Sequence, residues 1–110
     1  MPDESFKDFV LDQLHDLDAV DCRRMFGGYG LYQHGVFFGI ISQARLYFKT
    51  NLVTRAAYVQ CGMQPFRPNA RQTLTSYYEV PVDILEDHAQ LTRWAQQAVA
   101  AQRRGEASET

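Results

Sequence analysis

The sequence predicts an α+β fold of two layers, an antiparallel sheet with its helices gathered on one face, in the order α-β(3)-α-β(2)-α. Three observations support this. Both ends of the chain place apolar residues at helical spacing, and the middle consists of short alternating runs divided by tight-turn signals. A further helical stretch, residues 51–61, interrupts those runs. Helices that interrupt an antiparallel sheet imply segregated layers.

The first helix is expected over residues 5–17, where Phe6, Phe9, Val10, Leu14 and Leu17 recur at helical spacing and Asp8, Asp12 and Asp16 line the other side. Ser5 offers an N-cap. Strands follow at 22–26, 29–33, 36–42 and 45–50. His34-Gly35 between two apolar runs resembles a two-residue hairpin turn, and Gln43-Ala44 marks another. The run VFFGIIS is apolar on both faces, as a central strand is. In RLYFKT, Leu46 and Phe48 point one way and Arg45, Tyr47 and Lys49 the other.

A short helix over 51–61 has Thr50 or Asn51 as its cap and Gly62 as its stop. Residues 63–71, punctuated by Pro65 and Pro68, form a connection with a short edge strand. A strand over 73–80 puts Leu74, Tyr78 and Val80 on one face, and Pro81 ends it. Leu91, Trp94, Ala95, Ala98 and Val99 stripe a last helix, with Asp87 and Gln90 as its cap pair. Residues 1–110 make one domain, with its core at about 5–103 and a flexible tail over 104–110.

Gly27, Gly28 and Gly30 follow the pair Arg23-Arg24, and glycines this dense can cradle a phosphate. A phosphate cradle opens directly into a helix. Here the glycines lead into LYQHGVFFGII, with no GK[ST] and no GxGxxG frame. They are expected to shape a sheet instead, with Gly30 and Gly39 leaving room for aromatics.

The net charge of −2 conceals a partition. Residues 1–21 carry −6, residues 22–78 carry +7 with no acid among them, and residues 79–110 carry −3. Such asymmetry marks either an anion-binding surface or acidic helices that attract a basic sheet. Cys22 and Cys61 stand apart and are expected as reduced, buried small hydrophobes. His15, His34 and His88 are scattered without zinc-ligand spacing, so no metal is expected. No catalytic or cofactor-binding residues are expected either, since no serine, cysteine or acid falls into a nucleophile–base arrangement. The N-terminus is acidic and lacks signal-peptide order, and no window supplies the roughly 18 apolar residues of a membrane span. A cytoplasmic protein without membrane contact is expected.

Several ordered motifs resemble a known family. RRMFGGYGLYQHGVFFGII, ARLYFKT, the set Arg55, Tyr58, Gly62, Met63, Pro65 and Phe66, and SYYEVPVDILED together resemble the TfoX N-terminal domain, from about Phe6 to Val99. That domain is the first half of TfoX/Sxy regulators of natural competence. The resemblance implies the two-layer fold also seen in type III secretion chaperones, and a non-enzymatic regulatory protein. Full regulators carry a second, helical domain, and this chain ends shortly after its last helix, so a single-domain member is expected.

Two partner classes follow. A sheet face without helices is a natural association surface, so a homodimer and protein contacts in transcriptional regulation are expected. Alternatively the acid-free middle contacts nucleic acid, where basic side chains interleaved with an aromatic grip phosphate and stack a base. The candidate surface for either is Arg23, Arg24, Arg45, Tyr47, Lys49 and Tyr77. The negative net charge favours the protein partner.

Overall fold

The computed structural model describes residues 2–25 and 27–108, with side chains over 4–25 and 27–104. Helix α1 (Pro2–Gln13) begins ahead of the Ser5 cap and ends before Leu17. Proline suits a first helical turn, where its missing N–H has no partner to lose. Val10 and Leu14 are buried, Leu17 is buried in the turn that follows, and Phe9 is exposed on the far side.

Four strands come next: β1 (Val20–Met25), β2 (Gly28–Gln33), β3 (Val36–Ser42) and β4 (Arg45–Lys49). Phe26, expected to close the first of them, lies outside the described residues. Helix α2 (Leu52–Gln60) separates them from β5 (Pro65–Asn69) and β6 (Gln72–Glu79), and α3 (Val82–Leu85) and α4 (His88–Ser108) complete the chain. The sheet runs β1-β2-β3-β4-β6-β5, and every neighbouring pair is antiparallel. The fold class is as expected, with one strand more before α2 than the compact order counts. Each of the four alternating runs forms its own strand.

The β2–β3 and β3–β4 hairpin turns each have two successive left-handed residues: His34 (φ 49°) and Gly35 (φ 79°), then Gln43 (φ 52°) and Ala44 (φ 58°). That is the turn whose twist matches a right-twisted strand pair. The glycine run leads into a strand. Gly28 opens β2 as extended backbone, and a Cβ there would run into the Ile41 carbonyl oxygen of β3. No helical turn follows to hold an anion.

Local signals end the helices. The Asn51 side chain accepts from the N–H of Val53 and Thr54, both at 2.9 Å, and the Thr54 hydroxyl accepts from the Asn51 N–H at 3.0 Å. At the other end of α2, Gly62 (φ 76°) donates to Val59 and Met63 donates to Tyr58, closing the left-handed cap that glycine permits. The last helical region divides in two because Pro81 starts α3 and Asp87 restarts the chain as α4. The Asp87 carboxylate accepts from the side chain of Gln90 at 3.0 Å and from its backbone N–H at 3.1 Å. Those bonds hold its carboxyl below the usual carboxylate range. Helix α4 runs through Ser108, beyond the tail expected from 104, and residues 109–110 lie outside the described part.

The helices cover one face of the sheet. Helix α4 crosses β3 and β4, α1 packs on α4 and β3, and α2 leans on β6. Leu31, Phe38, Ile41, Leu46 and Phe48 rise from the sheet to meet Val10, Leu14, Leu91, Ala95 and Ala98. Tyr58 anchors α2 between the rings of Trp94 (4.7 Å) and Tyr78 (6.1 Å). Gln13 adds a bond from its side-chain amide to the Leu85 carbonyl, 2.9 Å, tying α1 to α3. Among the described residues no helix is long and apolar enough to cross a membrane.

Candidate functional site

The sheet face away from the helices is the candidate site. Alternation along β4 sends Leu46 and Phe48 into the core and Arg45, Tyr47 and Lys49 to this open face. Register carries the face across the sheet. Tyr47 lies opposite Ile40 on β3 and Glu79 on β6, Ile40 opposite Gly30 on β2, and Gly30 opposite Arg23 on β1. Lys49 lies opposite Tyr77.

A β-bulge sets the middle of this surface. Leu31 pairs with Gly39 but Tyr32 pairs with Phe37, so Phe38 has no partner residue on β2. The extra residue lets Phe38 enter the core while Phe37 reaches the open face. There Phe37 stacks against Tyr32 (5.2 Å) and Tyr77 (5.6 Å), and Tyr47 against Phe66 (4.7 Å). Gly30 is the floor of this cluster: a Cβ on it would press on the Met25 sulfur at 2.7 Å and the Phe37 ring at 3.0 Å.

The β5–β6 hairpin rises over the same face. Shifts of register between β5 and β6 pair Pro65 with Tyr78 and Phe66 with Leu74. Phe66, Pro68, Asn69, Gln72 and Leu74 thereby face Met25, Phe37, Ile40 and Ser42 across a cleft of about 490 Å³. Leu74 therefore does not share the core face of Tyr78 and Val80, as simple alternation predicts. The cleft is lined mainly by apolar groups, and among the described residues none that lines it is titratable.

The six residues expected to form one surface are divided. Arg23, Arg45, Tyr47, Lys49 and Tyr77 share the open face. Arg24 pairs with Tyr29, a core residue, and so points to the helix side, its guanidinium 5.5 Å from the Tyr29 ring centre. Adjacent strand residues face opposite ways, so that split was already visible in the alternation. Tyr77 is 7% exposed, and burial pushes its hydroxyl well above the usual range. Tyr47 is half-buried, its hydroxyl raised by burial and by nearby Glu79.

The cations on this face have local partners. Arg45 is 2.9 Å from Glu79, and Arg23 is 3.3 Å from Asp21 with its guanidinium 4.5 Å from the Tyr32 ring centre. Lys49 donates to the Ser76 hydroxyl at 3.2 Å. The attraction between basic strands and acidic groups that the charge partition suggests thus runs within the sheet. Of the cysteines, Cys22 is half-buried against the core with its thiol pushed up by burial, which disfavours the reactive thiolate, and Cys61 is exposed. The histidines are less scattered than they look, since the fold brings His15 and His88 to a ring separation of 4.9 Å.

Fold and site together define a two-layer α+β module with an apolar cleft on its uncovered sheet face and a rim of paired charges. The family follows from the sequence itself. Residues 12–102 match the family model described as the TfoX N-terminal domain, and the chain belongs to that family. No curated protein matches the sequence.

Proposed function

We propose that this domain is a non-enzymatic regulatory module that acts through protein–protein contacts in transcriptional regulation, with a second copy of itself as the first partner. Membership of the TfoX N-terminal family supports the competence-regulator side of this reading. The observation that carries it is the cleft between Phe37 and Ile40 below and Phe66 and Leu74 above. An apolar recess without titratable lining suits burial against a partner's side chains better than chemistry on a substrate. Local pairing of Arg23 and Arg45 with acids weakens the nucleic-acid alternative, because each must give up its partner to meet a phosphate.

Light scattering at micromolar concentration tests the self-association. The expected result is a dimer mass that falls to a monomer in Leu74→Glu, which puts a charge on the hairpin side of the cleft. A strict monomer for the unaltered chain overturns the homodimer. Titration with labelled duplex and single-stranded DNA at two salt concentrations tests the alternative. Salt-sensitive binding that Arg23→Ala weakens would overturn the protein-only reading.

A further inference from the structure

We propose that His15, Asp16 and His88 form a binding site for a divalent cation of the zinc class, joining the turn after α1 to the first residue of α4. The ligand atoms these three residues offer lie within 4.8 Å of one another. The Asp16 carboxylate approaches one nitrogen of each imidazole, with Oδ1 3.4 Å from His15 Nε2 and Oδ2 3.2 Å from His88 Nδ1. Tetrahedral zinc, bound at about 2.0–2.1 Å, holds its ligand atoms about 3.3 Å apart, which the two nitrogen–oxygen spacings match, while the atoms furthest apart, within 4.8 Å, must draw together.

A second observation, independent of proximity, is how His15 is held. Its Nδ1 lies 2.8 Å from the backbone carbonyl oxygen of Asp12. A carbonyl can only accept, so Nδ1 carries the proton and the neutral ring has its lone pair on Nε2. That lone pair faces a carboxylate oxygen that also carries lone pairs. Two acceptors that face each other at an exposed site are relieved by a bridging proton, water or metal ion, and a metal ion can take both lone pairs at once. A metal-ligating histidine characteristically donates its other ring N–H to a carbonyl or carboxylate, which is the bond His15 makes to Asp12. Imidazole nitrogens with one carboxylate suit zinc and its transition-metal neighbours better than calcium or magnesium, which favour all-oxygen shells. The amino end of α4 opposes a cation at His88, and the Asp16 carboxylate offsets this.

His15 and His88 are separated by most of the chain, so a cation here would bind the folded chain and not the unfolded one. It would raise the thermal midpoint with the logarithm of the free cation concentration once that exceeds Kd. The test is calorimetric titration of the metal-stripped full chain with zinc chloride, with histidine ring proton signals followed by NMR. One equivalent should bind, and the signals of His15 and His88 should shift or broaden while that of His34 does not. His15→Ala and His88→Ala should each weaken binding by about 10–100-fold or more. His34→Ala should leave it unchanged. Zinc that binds undiminished in both His15→Ala and His88→Ala, as it would at Cys22 or Cys61, overturns the proposal. So does a wild-type chain whose His15 and His88 signals ignore excess zinc, a result that requires no variant to fold.

Discussion

The two faces of the sheet are built by the same alternation and closed by different means. On the helix side, Phe38 and Phe48 are wholly buried and α4 lies across them. On the other side, Tyr32, Phe37 and Tyr77 shield one another, and the chain's own β5–β6 hairpin forms the opposite wall. Aromatic content alone therefore does not distinguish a core from a binding surface. What distinguishes them is whether a separate layer seals the face or a hairpin merely overhangs it.

Core truncation provides the largest test of this difference. Phe48→Ala should cost about 3–5 kcal/mol in urea denaturation, because it empties a sealed site. Phe66→Ala, on the half-open side, should cost only about 1–2 kcal/mol. Equal losses would show that the open face is as much a core as the other. Next, Gly28→Ala should cost about 1–3 kcal/mol or more, since its methyl group meets the rigid Ile41 carbonyl. A neutral result by the same measurement would show that β2 and β3 can separate there. Ala44→Gly should stabilise by about 1 kcal/mol, visible as a higher thermal midpoint, by relieving a left-handed residue at φ 58°. The smallest effect belongs to the charged rim. Arg45→Glu, which places a second acid beside Glu79, should destabilise by less than about 1 kcal/mol and leave the circular dichroism spectrum intact.

Much of the fold is legible in the sequence because local signals set it. His34-Gly35 marks its turn, Asn51 and Gly62 bracket α2, and the alternation in Arg45–Lys49 sorts its residues to the correct faces. What stays hidden depends on partners distant in the chain. The bulge that separates Phe37 from Phe38 shows only in the pairing with β2. The register shifts that move Leu74 to the cleft show only in the pairing of β5 with β6. The approach of His15 to His88 arises from the packing of α1 against α4, and neither helix carries a motif that announces it. Five of the six candidate surface residues share a face because alternation is local, yet the burial of Tyr77 depends on Phe37 from another strand.

The rims of the sheet restrict how copies of this chain can aggregate. Strand β5 carries Pro65 and Pro68, which have no N–H to donate, and β1 carries Asp21, Arg23 and Arg24 along its length. Neither margin is a good template for an added strand, so edge-to-edge pairing of copies is disfavoured at both ends of the sheet.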